Sequence, residues 1–131
     1  MDKIFFAGVK TIAIIGLSND SSKHSYKVAA YLQSKNFRII PVNPNIKEVL
    51  GEKAYPNILE IPTEIQIDVV DIFRRPEEVI PPLEEILKRG NIEKVWLQEG
   101  VGSPQAEKFA REHGLSIVSN FCMMEVYKNF T

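Results

Sequence analysis

The sequence predicts an α/β domain, a doubly wound, five-stranded parallel sheet with helices on both faces. Three observations predict it. Short runs that are near-continuously apolar recur along the chain, as strands buried on both faces require. Segments of helical period lie between them, the alternation that builds a parallel sheet with right-handed crossovers. The 131 residues suit a single domain over 1–131, burying roughly two thirds of the surface of the unfolded chain with no disulfide or metal.

Ile4, Phe5, Phe6 and Val9 predict a short N-terminal helix or turn packed on the sheet. Thr11–Ile15 is the first strand, and Gly16 lets the chain turn at its end. The nine residues from Leu17 to Ser25 exceed the about two to six usual between strand and helix. Extra length there serves a ligand, and this loop offers four serines, Asn19, Lys23 and His24. Ser25 reads as the N-cap of the next helix, and Val28 in place of Glu or Gln leaves the capping box incomplete. First-turn amides with no competing side-chain carboxylate, at a helix N-terminus, attract anions; a merely solvated serine loop is the plainer alternative. Val28, Ala29 and Leu32 form the helix's inner face, and Lys35-Asn36 ends it.

Arg38–Val42 is the second strand, closed by the turn Asn43-Pro44-Asn45. Ile46 to Leu50 suggests one or two helical turns stopped by Gly51, with loop from Glu52 to Pro62. Ile67–Phe73 is the third strand. Pro76 opens a first helical piece and Pro81-Pro82 the start of a second, where proline is tolerated; Leu83, Ile86 and Leu87 are its buried stripe. Lys94–Leu97 is the fourth strand. Ser103 caps a helix with Pro104 at its first position, carrying Ala106, Phe109, Ala110 and His113 inward or at its edge until Gly114. Leu115–Val118 is the fifth strand, and Met123–Tyr127 a terminal helix. A Rossmann-like order of 3-2-1-4-5 follows.

Bulk properties exclude several functions. Net charge −1 and a pI near 6.1 supply no basic field for nucleic acid or membrane surfaces. Cys122 is the only cysteine, which rules out an intramolecular disulfide and a cysteine-based zinc site and suits a reducing cytoplasm. No apolar run approaches the about twenty residues of a membrane span, so a cytoplasmic, unprocessed protein is expected.

In doubly wound sheets ligands bind beyond the carboxyl ends of the strands, at the switch point. Those ends are Gly16-Leu-Ser18, Val42-Asn-Pro44, Phe73-Arg-Arg75, Gln98-Glu-Gly100 and Asn120-Phe-Cys122. Arg74 and Arg75 present guanidinium forks suited to phosphate, with Glu77 and Glu78 at hand to pair with them instead. A dinucleotide dehydrogenase carries a G-x-G-x-x-G loop and an acid after strand two; this chain has neither, and Asn43 stands at the second place. NAD is disfavoured, while NADP with an arginine partner is a rival.

Gly16-x-Ser18, Lys23-x-Ser25, Pro41-Val-Asn-Pro44, Gly51-Glu-Lys-Ala-Tyr55, Asp71-Ile-Phe-Arg-Arg75, Trp96-Leu-Gln-x-Gly100 and a late cysteine, in this order, resemble the small stand-alone CoA-binding proteins. That family is similar to the CoA-binding Rossmann domain of the succinyl-CoA synthetase α subunit. The resemblance covers about Thr11 to Cys122 and implies coenzyme A as the ligand. It implies that Gly16, Leu17, Ser18 and Ser25 hold the phosphates with Lys23 neutralising them, that Asn43 and Pro44 flank the nucleotide, and that Phe73, Arg74, Arg75, Gln98 and Gly100 line the rest. One departure is Asn120-Phe121, where family members often carry Asp-Arg, removing a charge pair near the thiol end.

The expectation is a CoA or acyl-CoA binding module with a carrier, sensor or regulatory role and no catalytic residue. An NADP-linked oxidoreductase, or the CoA-holding component of an acyl-CoA ligase, is the alternative; an interaction scaffold with an empty cleft is a third. Cys122 reads as a small buried hydrophobe, with no dyad assigned to it, and His113 as a satisfied surface or edge residue. No metal cluster or Walker loop occurs. Phe5, Phe6 and Trp96 suggest a homodimer.

Overall fold

The computed structural model describes residues 3–130. Five strands pair in parallel: β1 (Thr11–Ile15), β2 (Arg38–Val42), β5 (Val69–Ile72), β6 (Lys94–Leu97) and β7 (Ser116–Ser119), in the spatial order β2-β1-β5-β6-β7. Helices α1 (His24–Ser34), α2 (Ile80–Arg89), α3 (Pro104–Glu112) and α4 (Met123–Lys128) connect or follow them.

Period-two alternation splits the core into two layers. Ile12, Ile14, Ile39, Val69 and Trp96 face α1 and α4 and meet Val28, Leu32 and Met123. Ala13, Ile15, Ile40, Val70, Ile72, Val95 and Leu97 face the other way, onto Leu83 and Ile86 of α2 and Ala106 and Ala110 of α3. The α1 crossover thus lies on one face and the α2 and α3 crossovers on the other, so the winding reverses between β1 and β5. That is the switch point.

The 3-2-1-4-5 order holds, with a different segment in third place. Tyr55 bridges Val42 in parallel on the outer side of β2; its N–H donates to the Pro41 carbonyl, and its carbonyl accepts from the Asn43 N–H. Pro56 follows and cannot donate, which limits this rudimentary third strand to a single bridge. The Ile67–Phe73 run, expected third, shortens to β5 and takes the fourth place, directly beside β1.

Two local expectations are corrected. Ile46–Leu50 is not helical: β3 (Glu48–Val49) and β4 (Glu52–Lys53) form an antiparallel hairpin. Its two turn residues, Leu50 and Gly51, have φ of 55° and 77°, the positive-φ pair of a two-residue hairpin turn. Ser25 is not the N-cap: α1 begins at His24, and Lys23 caps it with extended backbone and no side-chain hydrogen bond.

The segment 58–65 is secured from one side chain. The Arg89 guanidinium at the end of α2 donates to the carbonyls of Ile58, Ile61, Pro62 and Ile65. The N-terminal turn Lys3–Phe6 packs as expected: Phe5 meets Trp96 edge-on at 5.2 Å, and Phe6 meets Tyr127 at 5.2 Å. The aromatic residues behind the dimer expectation therefore pack within the chain. Among the described residues, no helix is long and apolar enough to cross a membrane.

Candidate functional site at the switch point

At the end of β1, Gly16 has φ of 84°, and a Cβ built on it would stand 2.1 Å from the Phe73 carbonyl oxygen. Only glycine lets the ends of β1 and β5 close this tightly. The Gly16 N–H donates to the Val42 carbonyl at 2.8 Å. Leu17 is fully buried in the core, so only its backbone can serve a ligand. Its carbonyl accepts from Asn43 Nδ2 at 3.0 Å, while Asn43 Oδ1 accepts the Asn45 N–H at 2.9 Å. Asn43 therefore braces the loop from below, next to exposed Pro44.

Ser25 has a related role. Its buried hydroxyl oxygen accepts the Ser18 N–H at 3.0 Å, folding the loop back on the first turn of α1. Ser18 Oγ accepts the Asp20 N–H. The Asp20 carboxylate takes the Ser22 N–H and hydroxyl; these bonds, with Lys23 adding a smaller share, hold its carboxyl below the usual range. The negative charge inside the loop is thus committed locally. The first turn of α1 carries no acidic residue and no side-chain cap, which leaves its amides available to an anion.

Phe73, Arg74, Arg75, Gln98 and Gly100 come together with His24 around one cleft of about 600 Å³. Arg74 also borders a second cleft of about 460 Å³, with Ile15, Val42 and Pro56 among its walls. Glu78 pairs with both arginines, at 4.0 Å to Arg74 and 3.1 Å to Arg75. Arg74 Nε nevertheless has no partner. Gln98 is 2% exposed; its Oε1 accepts the Met123 N–H at 3.0 Å, and its Nε2 is unpartnered. Such buried, unanswered donors are uncommon in folded proteins and call for an explanation. Gly16, Leu17, Ser18, Lys23, Ser25, Asn43 and Pro44 do not line either cleft; their loop adjoins the first through Gly16 against Phe73.

Three residues were outside the expected set. Cys122 is buried, as anticipated, but its Sγ lies 3.4 Å from His24 Nε2, across 98 residues of sequence. The Trp96 indole N–H donates to the Phe121 carbonyl at 2.7 Å, fixing the segment that delivers Cys122. The third is Asp71, paired in register with Ile14 and Trp96 and fully buried. Neither carboxyl oxygen has a well-formed hydrogen bond. Burial pushes its carboxyl well above the usual range, with only the Ile72 amide opposing. An acid inside Val-Val-Asp-Ile was visible as an anomaly; the His24–Cys122 approach had no local signal. His113 is satisfied at the surface, with Nδ1 2.8 Å from the Phe109 carbonyl. Among the described residues, no group of three or more His, Cys, Asp or Glu gathers as a metal site.

The family model of a CoA binding domain matches residues 10–128. The chain belongs to that family. YneT of Bacillus subtilis is 35% identical over 114 residues, 87% of this chain and 82% of its own length. The ADP-forming acetate–CoA ligase of Methanocaldococcus jannaschii is 30% identical over 122 residues; the match takes in 87% of this chain but only 17% of the ligase. Among solved structures, a Thermus thermophilus protein superposes with a TM-score of 0.91 at 32% identity, covering 98% of this chain and 96% of the other. As a CoA-binding domain the chain thus matches small proteins over most of their length and large ligases over a fraction of theirs.

Proposed function

We propose that this chain is a stand-alone module that binds CoA or acyl-CoA across the switch point, in a carrier, sensor or regulatory role. One observation carries the reading: Arg74 Nε and Gln98 Nε2 are unpartnered donors around the cleft next to Gly16. Donors fit an acceptor-rich ligand, and CoA offers phosphate oxygens and two amide carbonyls. In this reading the loop from Gly16 to Ser25 and the first turn of α1 take phosphate, with Lys23 adding charge. Arg74 and Arg75 neutralise it from the side. Asn43 and Pro44 flank the nucleotide, and Phe73, Gln98 and Gly100 receive the pantetheine arm.

The second cleft fits the adenine end. Its floor of Ile15, Val42 and Pro56 is apolar, and Arg74 stands between it and the first. Its proximity to Glu77, Glu78 and Glu85 disfavours a further phosphate there.

Thermal unfolding with CoA, NAD, NADP and ATP tests the proposal. A ligand at about one hundred times its Kd adds about 2.7 kcal/mol. With about 2.1 cal/mol/K of unfolding entropy per residue, 131 residues convert this to a rise of about 10 °C. We expect that rise for CoA; a comparable shift with NADP and none with CoA would overturn the proposal. The double variant Arg74→Ala, Ser25→Ala should keep its far-UV spectrum and lose roughly ten- to a hundredfold in CoA affinity by calorimetry, the worth of one or two charge-assisted hydrogen bonds.

A further inference from the structure

Neither the Cys122 thiol nor the His24 imidazole has a part in the CoA contacts proposed above, yet the fold holds them together from opposite ends of the chain. Sγ and Nε2 are 3.4 Å apart. His24 lines the same cleft as Phe73, Arg74 and Gln98 and is exposed, whereas Cys122 is 5% exposed behind it. Gln98 joins the two features: it lines the cleft, and its Oε1 holds the amide of Met123, the residue after the cysteine. Its Nε2 is a buried donor without a partner. A thiol, an imidazole and an unanswered amide donor are thus tied together beside the cleft proposed for CoA.

The thiolate is the attacking form of cysteine, and an imidazole at this distance is placed to accept its proton. We propose that Cys122 captures the disulfide form of the ligand by thiol–disulfide exchange, with His24 as proton acceptor. This rests on the reading that CoA occupies the cleft; the co-reactant is CoA disulfide. Cys122 Sγ passes its proton to His24 and attacks the sulfur of the bound half. The ligand's S–S bond breaks, a new S–S bond joins Cys122 to that half, and the other half leaves as a thiolate that takes up the proton. Cys122 is oxidised and the departing CoA is reduced, so the step balances with no further reagent. The product is a stoichiometric adduct, which makes the module a sensor of the ligand's redox state.

The test uses the full chain and intact-mass spectrometry after exposure to CoA disulfide or glutathione disulfide at equal concentration. We expect one CoA moiety on Cys122, faster than glutathione adds, and none on Cys122→Ser. His24→Gln should slow capture by at least about tenfold at pH 7, and the difference should shrink as the pH is raised, because hydroxide then takes the proton in place of the imidazole. That convergence separates a proton acceptor from a packing residue, whose loss would persist at every pH. Calorimetry of the wild type with reduced CoA decides the binding reading separately. Binding of reduced CoA without an adduct would overturn this inference and leave that reading standing, as would equal rates for the two disulfides. A His24→Gln rate equal to wild type at pH 7 would overturn the role of His24.

Discussion

Gly16→Ala is the sharpest test of how the site is built. The residue sits at φ of 84°, where a side chain costs about 1–2 kcal/mol. The new Cβ would also stand 2.1 Å from the Phe73 carbonyl oxygen, against an ordinary contact of 3.4 Å or more. Relief requires the ends of β1 and β5 to part by about 1 Å, straining two hydrogen bonds of 2.8 Å, Gly16 N–H to Val42 and Phe73 N–H to Ile15; each is worth about 1 kcal/mol. Together these come to about 3–4 kcal/mol. For 131 residues the midpoint should fall by about 11–14 °C. Gly51→Ala is the internal control, because Gly51 has φ of 77° and nothing within 4 Å of its added Cβ; it carries the conformational cost alone and should fall by about 4–7 °C. Scanning calorimetry on both variants measures the difference. If Gly16→Ala loses no more than Gly51→Ala, the close approach at the switch point is not what the glycine is for.

Asp71 gives a pH prediction. Its folded pKa is raised, so the native state binds the extra proton, and its contribution is fully present below the unfolded value of 3.8 and lost as pH rises through the folded pKa. The unfolding free energy of Asp71→Asn in urea should fall less steeply with pH than that of wild type above pH 4, by up to about 1.4 kcal/mol per pH unit; parallel curves would mean the carboxyl does not titrate as its burial requires. Gln98→Met leaves the Met123 N–H unanswered and should cost about 1–3 kcal/mol in urea unfolding, whereas an unchanged midpoint would show that water or another group replaces Oε1. Arg89→Lys cannot reproduce a fork that reaches four carbonyls. It should speed proteolysis within 58–65 and lower the unfolding free energy measured in urea by about 2 kcal/mol; intact resistance would place the order of that segment elsewhere.

The elements with a strong local pattern were legible. Gly-ended β1, the twin-proline start of α2 and the Ser103-Pro104 start of α3 were all readable because the signal and the structure it specifies lie within a few residues. The β3–β4 hairpin was hidden by Leu50, a residue that rarely takes positive φ and so masked a turn that Asn or Gly would have announced. Ser25 looked like a cap because its type suits one, but its hydroxyl is taken by the Ser18 amide. At the site, the strand-end rule gathered Phe73, Arg74, Arg75, Gln98 and Gly100 around one cleft. It could not gather His24 with Cys122, since their approach depends on how α4 packs against α1 and leaves no periodicity in either segment. Nor does residue type say which lone polar group is left unanswered; Gln98 Nε2 emerges only when every neighbour has been placed.

Glu78 gives the cleft a character that neither its shape nor its cations describe. One carboxylate reaches both Arg74 and Arg75, so an arriving anion meets guanidinium groups that already have a companion. A singly charged acid would trade one carboxylate for another and gain little. A polyphosphate bound as proposed would carry enough charge to engage both forks and the helix terminus at once, which outweighs the cost of displacing Glu78. The resident pairs are partly to largely exposed and worth about 0–1 kcal/mol each, a low sill for a polyanion. For the CoA reading proposed above, Glu78 is therefore a small threshold that a polyphosphate would clear with a gain and a singly charged acid with little.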